Sequence, residues 1–230
     1  MGYQKGKTSM ITIVIPAYNH QNYVADAIQS ALDQTVKCEI ICVNDGSQDA
    51  TLEVMLRFGG EIQIIDQNNK GLPSARNTGI MNATGDYILP LDSDDMLLDN
   101  CIEKILKVIE ETGADVVAPS FKEFGERQTD IILMQNPTIA DFKIANRIGY
   151  CAAIKKEALL EVGGYSPRMV FGWEDYDLWI DLLKRGKKFV TIQEKLWLYR
   201  VKEQSMYTDS MAHAEFLTKQ MKENHPTIYE

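Results

Sequence analysis

What this sequence is short of narrows the field first. It holds four cysteines, Cys38, Cys42, Cys101 and Cys151, and no two stand in a CxxC spacing. All four sit in or beside apolar runs, so buried free thiols in a reducing, cytoplasmic compartment are expected. The three histidines, His20, His213 and His225, are scattered and read as ordinary polar residues. Positive charge is in deficit, with 24 Lys and Arg against 33 Asp and Glu, a formal net charge of −9. A nucleic-acid backbone calls for a basic face, so general nucleic-acid binding is not expected. A solvated acidic surface is the plain reading of the balance. No stretch approaches the roughly 18 apolar residues of a membrane-spanning helix. Residues 1–9 are polar and basic, with no signal-peptide pattern. Gly6 stands where myristoylation needs Ser or Thr. This segment is expected to be a disordered leader outside the fold. Internal repeats, low-complexity tracts and linkers are also lacking.

What is present is one long alternation. The chain of 230 residues, 45% hydrophobic and 25% charged, suits a single good-sized domain. Short β-branched runs at Ile11–Ile15, Glu39–Val43, Glu61–Asp66, Tyr87–Leu91 and Asp115–Ala118 predict strands. Between them, apolar residues at helical spacing predict helices around Val24–Leu32 and Ile102–Ile109, and the segments Ala50–Arg57 and Leu72–Asn82 read as helices as well. Strand–helix alternation implies an α/β fold with a mainly parallel sheet flanked by helices. Ser120–Gly149 is polar and aperiodic, open to reading as a lid, an acceptor-binding insertion or a solvated loop. Further strands are predicted at Tyr150–Ile154, Phe189–Ile192 and Leu196–Tyr199. A short helix should end at Gly163-Gly164. A strong amphipathic helix is carried by Tyr176, Trp179, Ile180 and Leu183 and closed by Gly186, and another helix is expected from about Asp209 to Glu223.

In such folds ligands bind beyond the carboxyl ends of the strands, and polar residues gather there. Asp92, Asp94 and Asp95 follow the fourth strand within four residues. Two carboxylates about 5 Å apart repel by roughly 3 kcal/mol at an effective dielectric near 20. A hard divalent cation would relieve that. Helix capping accounts for one aspartate, not three. Asn44-Asp45-Gly46-Ser47 ends the second strand, where a plain turn is the competing reading. Lys70 and Arg76 flank the turn Gly71-Leu72-Pro73 and the start of a helix, a natural phosphate position, or else a solvated surface. Trp173, Glu174 and Asp175 open the strongest helix. First-turn carboxylates often serve only the helix dipole, yet an aromatic beside a carboxylate suits sugar binding, and a positioned carboxylate can take a proton from a hydroxyl.

Taken in order, Ile15-Pro16-Ala17-Tyr18-Asn19, Asn44-Asp45-Gly46-Ser47, Lys70-Gly71 through Arg76-Asn77, Asp92-Ser93-Asp94-Asp95, Trp173-Glu174-Asp175 and Tyr199-Arg200 resemble the family 2 glycosyltransferases, of bacterial or viral type, with the GT-A fold. The likeness runs from about Met10 to Met206. It implies a transferase domain over 10–206, with a nucleotide-binding half at about 10–95 and an acceptor half at about 96–206, followed by a helical tail at 207–230. It implies that Pro16, Ala17 and Tyr18 line the base pocket and that Asp45 bonds the base, usually uracil. Lys70 and Arg76 would contact the nucleotide, and Asp92 with Ser93 the ribose or donor sugar. Asp94 would ligate one Mn²⁺ or Mg²⁺. Asp175 would be the general base, with Trp173 and Glu174 shaping the acceptor site.

The implied reaction is inverting transfer from a nucleotide-sugar, UDP-sugar favoured, to a glycan or lipid-linked glycan in polysaccharide biosynthesis. The implied setting is the cytoplasm, at the inner membrane face through peripheral association. The competing functions are a nucleotidyltransferase and a nucleotide-sugar-binding module without activity. Many relatives carry histidine two residues after Tyr-Arg as a metal ligand, whereas Lys202 stands there in this chain. A protonated lysine cannot ligate a metal, so Lys202 is instead a candidate contact to the diphosphate.

Overall fold

The computed structural model describes residues 9–203 and 210–229. The expected leader at 1–9 falls almost wholly outside the described residues, as does the start of the expected tail.

Nine strands form one sheet in the order β3-β2-β1-β4-β8-β6-β9-β5, with β7 beside β6, among the described residues. The strands are β1 Ile11–Ala17, β2 Glu39–Asp45, β3 Gln63–Gln67, β4 Tyr87–Pro90, β5 Met96–Leu97, β6 Val116–Gly125, β7 Asp130–Ile131, β8 Ala153–Lys155 and β9 Phe189–Val201. The ladders β1–β2, β1–β4, β2–β3 and β6–β9 are parallel. The antiparallel ones, involving β5, β7 and β8, pair two residues on each strand. The sheet is thus mainly parallel, as expected.

Side-chain alternation along β1 divides the core. Ile11, Ile13 and Ile15 face a layer built by α1 (Val24–Leu32) and α4 (Cys101–Thr112). Val14 faces the other layer, built by α3 (Leu72–Asn82), α6 (Lys156–Val162) and α7 (Glu174–Lys184). Each fully buried aliphatic side chain contributes about 1.5–3 kcal/mol. Short helices lie at α2 (Thr51–Leu56) and α5 (Ile139–Phe142). In the C-terminal segment α8 (Ala214–Asn224) buries Leu217 and Met221 against the second layer, and α9 (Pro226–Tyr229) follows. No helix of the described residues is long and apolar enough to cross a membrane.

The structure departs from the sequence reading in places. The polar segment after Ser120 is not simply a loop, because Ser120–Gly125 completes β6 and pairs with β9. Ser120 is buried, its Oγ donating to the Ile192 carbonyl (2.9 Å) and accepting from the Leu133 N–H (3.1 Å). The two strands expected at 189–192 and 196–199 are one strand, because a register shift around Pro119–Phe121 absorbs the polar residues between them. Of the expected strand at Tyr150–Ile154, only Ala153 onward is extended, and Tyr150–Ala152 is irregular backbone reaching into the site.

Candidate active site

The carboxyl ends of β1, β2 and β4 open on a cavity of about 700 Å³. Its lining includes Pro16 and Ala17 of β1 with Tyr18 just beyond it, Asp45 of β2, Asn69 and Gly71 of the turn before α3 with Leu72 and Ala75 of α3 itself, and Asp92, Ser93 and Asp94 after β4. Val170, Phe171, Tyr199, Arg200 and Lys202 close the far wall. Tyr18 is 42% exposed, leaving its ring available to a flat ligand.

Asp45 is buried at the end of β2, and its carboxylate organises the neighbouring turn. Oδ1 accepts from Gln67 Nε2 (2.7 Å) and the Lys70 N–H (2.9 Å), and Oδ2 from the Gly71 N–H (2.9 Å). Gly46 must lack a side chain here. Its φ is +71°, and a Cβ would lie 2.6 Å from the Asn69 nitrogen. The Lys70 side chain is exposed and outside the cavity lining. Its contribution to the site is the backbone N–H, and Asn69, Gly71 and Leu72 take the lining position expected of it.

Arg76 is placed differently from expectation as well. It is fully buried behind the cavity. Its Nη2 bonds Asp92 Oδ1 and its Nη1 bonds Glu174 Oε1, each at 2.6 Å. The rings of Tyr150 and Tyr165 lie 5.1 and 5.2 Å from its guanidinium carbon. Burial opposes its charge, but the two carboxylates outweigh that and hold Arg76 firmly protonated. Arg76 therefore ties the end of β4 to the start of α7. Glu174, expected at the acceptor site, is turned inward to this pair.

The four residues after β4 have divided roles. Burial raises Asp92 to about 6, against the opposing pull of Arg76. Ser93 Oγ lies 2.6 Å from His20 Nδ1, and burial holds the His20 imidazole below its ordinary value. Asp95 is buried. It accepts from Tyr150 Oη (2.5 Å) and the Arg200 N–H (2.6 Å), and burial with two neighbouring carboxylates raises its pKa well above the usual range. Asp94 faces the cavity, and Lys202 Nζ lies 2.5 Å from its Oδ2. Sequence reasoning missed His20 and Tyr150, for which no local motif signals a role.

Asp175 stands in the first turn of α7, beyond a strained entry. Gly172 has φ +109° and Trp173 φ +60°, a left-handed position uncommon for a bulky residue. Such strain is concentrated at functional sites. Trp173 packs its ring 5.9 Å from Tyr176. Asp175 accepts from Asn146 Nδ2 (3.0 Å) and the Tyr176 N–H (2.7 Å). Burial first, and the Glu174 charge second, raise its pKa to about 7, with Arg76, Tyr176 and Asn146 pulling the other way. Trp173, Glu174 and Asp175 adjoin the cavity wall through Val170 and Phe171 rather than lining it.

The residues present do not suit the expected divalent ion. Of the cavity-lining carboxylates Asp45 is spent on three N–H donors, Asp92 on Arg76, and Asp94 is paired with the Lys202 ammonium, while Asp95 behind them bonds Tyr150. A second group of ligand-type residues, Asp177, Asp181 and His225, clusters elsewhere, where α7 meets the C-terminal segment. There His225 Nε2 bonds Asp177 (2.9 Å), and Lys184 Nζ sits 3.4 Å from both Asp181 and His225. That arrangement is a tether for the C-terminal segment.

Comparison with known proteins gives a consistent picture. Residues 12–171 match the family described as glycosyl transferase family 2. Glycosyltransferase GlyA of Streptococcus pneumoniae serotype 4 is 39% identical over 122 residues, 51% of this chain and 18% of that protein. An uncharacterized glycosyltransferase of Rickettsia typhi is 31% identical over 193 residues, 79% of this chain and 61% of that protein. The chain thus spans 18% and 61% of the length of these two relatives. Among solved structures, S. aureus TarS 1–349 in complex with UDP superimposes with a TM-score of 0.74 at 16% identity, covering 94% of this chain and 74% of that one. The mannosyltransferase PcManGT from Pyrobaculum calidifontis, in complex with GDP-Man and Mn²⁺, gives 0.72 at 17%, covering 92% and 63%. At such identities the likeness establishes the GT-A fold.

Proposed function

Because this chain belongs to glycosyltransferase family 2, we propose that it moves a sugar from a nucleotide-sugar to an acceptor hydroxyl, with inversion and with Asp175 as the base. One observation carries this reading. Asp175 stands at the start of a helix that Arg76 fastens to Asp92 in the cavity lining, and burial raises its pKa to about 7. A base poised near the working pH transfers protons most efficiently.

In the proposed step the acceptor oxygen attacks the anomeric carbon as Asp175 takes its proton. The bond to the diphosphate breaks, and its electron pair stays with the phosphate oxygen. Tyr18 would stack on the base, and the Asp45 turn would meet its edge. Asp92, held by Arg76, would bond the ribose or sugar. A UDP-sugar is the favoured donor, supported by the UDP and UDP-GlcNAc complexes of TarS. GDP-Man, carried by PcManGT, is the comparison donor. A glycan or lipid-linked glycan is the proposed acceptor, met by the exposed apolar ledge of Val170 and Phe171. Phe171 also stacks on His213 at 4.1 Å, so the C-terminal segment supports that ledge.

The test is nucleotide release from a panel of UDP-, GDP-, TDP- and CMP-sugars, with Asp175→Asn alongside. Release from one donor class, cut about 10²–10⁴-fold in the variant, is expected. No release above the variant from any donor would sink the proposal.

A further inference from the structure

The cavity's charges are paired in an unusual way for a site that must accept a diphosphate. Asp45 spends its carboxylate on three N–H donors, and Asp92 is bound by Arg76. Behind them Asp95 is taken by Tyr150 and the Arg200 backbone. Asp94 remains, and Lys202 occupies it at 2.5 Å. The pair is well held. The side chains of Lys202 and Asp94 are 23% and 15% exposed, and the ammonium also lies 5.1 Å over the Tyr23 ring. Arg200 braces the same place. Its guanidinium lies against Tyr23 (4.8 Å) and Phe124 (4.4 Å), and its Nε donates to the Asp94 carbonyl (2.8 Å).

A hard divalent ion normally takes one or two carboxylates, with phosphate and water completing its shell. At this position it would have one carboxylate, already neutralised, and would face an ammonium. Lysine has three N–H donors and no lone pair. With one donor on Asp94, two remain for phosphate oxygens.

We infer that Lys202, anchored by Asp94, takes the place of a divalent cation in this site and binds the donor's diphosphate directly, so that donor binding is independent of added metal. The inference rests on the reading of the cavity as a nucleotide-sugar site. In the reaction the acceptor O–H gives its proton to Asp175 and the anomeric carbon–oxygen bond breaks. The negative charge that stays on the diphosphate is met by the Lys202 ammonium.

The experiment is calorimetric titration of the whole chain, stripped of metal, with UDP and UMP, and with GDP and GMP, in EDTA and in Mn²⁺. For the nucleoside diphosphate that binds, equal affinity in the two buffers is expected. Lys202→Met should weaken that diphosphate about 10–100-fold, the worth of one charge-assisted hydrogen bond, and leave the monophosphate nearly unchanged. Lys202→His, which places an imidazole ligand beside Asp94, should make binding respond to Mn²⁺. Wild-type binding that appears only with Mn²⁺, or a Lys202→Met variant that keeps full diphosphate affinity, overturns the inference and leaves the transferase reading standing. Absence of binding by either diphosphate in either buffer overturns the inference, and the four-class donor panel then decides the transferase reading separately. Should the Lys202 variants fail to fold, the comparison of buffers on the unaltered protein decides alone.

Discussion

Arg76 shows how a single side chain can hold two halves of a site together. It lies 1% exposed, with carboxylates from β4's end and α7's start on either side. A buried ion pair adds little against a hydrophobic substitute, but removing one partner strands the other and costs about 3–5 kcal/mol. Arg76→Met leaves Glu174 buried without its counter-charge, so a loss of that size in chemical denaturation is expected. Arg76→Lys should recover only part, because an ammonium cannot reproduce the two-pronged guanidinium fork. Unchanged stability of Arg76→Met would show that the bridge is not what fastens α7. The sequence could not convey this arrangement. Arg76 and Glu174 stand 98 positions apart, and an arginine beside a helix start reads equally well as a phosphate ligand. Lys70 misled for a related reason, since its turn was legible but the direction of its side chain was not. Asp92, Asp94 and Asp95 were legible as a cluster. Their separate partners, Arg76, Lys202 and Tyr150, come from three other parts of the chain.

At the scale of elements, the nucleotide-side half was the more legible. Its strands are short apolar runs and α1 carries the 3.6-residue period, while α3 was read with the bounds the structure gives it although its apolar residues show no such period. The α3–β1 contact is close because Gly79 lies against Val14, and an added Cβ would come 2.3 Å from Val14 Cγ1. Gly79→Ala would gain about 1 kcal/mol of helix propensity. Val is stiff about its first side-chain torsion, so the clash should win, for a net loss of about 1–2 kcal/mol. A thermal melt checks this, and adding Val14→Ala should cost less than the sum of the two single changes. Additive losses would argue against the contact. The far half was harder to read. Polar residues hide the period of β6 and β9: Ser120 fills the register shift, and Thr191, Gln193 and Lys195 bond the segment 130–134 beside the ladder. The two-residue β5 has no sequence signal of its own and exists because β9 runs past it.

For the whole molecule, the carboxyl ends of β1, β2 and β4 set the edge proposed to take the nucleotide, and β9, parallel to β6, brings Arg200 and the following Lys202 to the same cavity. The net charge of −9 sits uneasily with an anionic donor, which makes the local cations at 200 and 202 the more consequential. The fold class could be read from alternation alone, and the family from the order of six motifs. The acceptor could not be read, since the ledge proposed to meet it is formed only where Phe171 packs on His213 and Phe216 of the C-terminal segment. The central claim is that Asp175 is the base of a glycosyl transfer. The measurement that bears on it most directly is the rate of transfer at low donor concentration, from pH 5 to 9, for the wild type and Asp175→Asn. A base works only when unprotonated, so the wild-type rate should climb as pH rises through about 7, where Asp175 titrates, and then level off. The variant should be about 10²–10⁴-fold slower on the plateau and lack that rise. A variant that keeps the wild-type rate and its pH dependence would contradict the account.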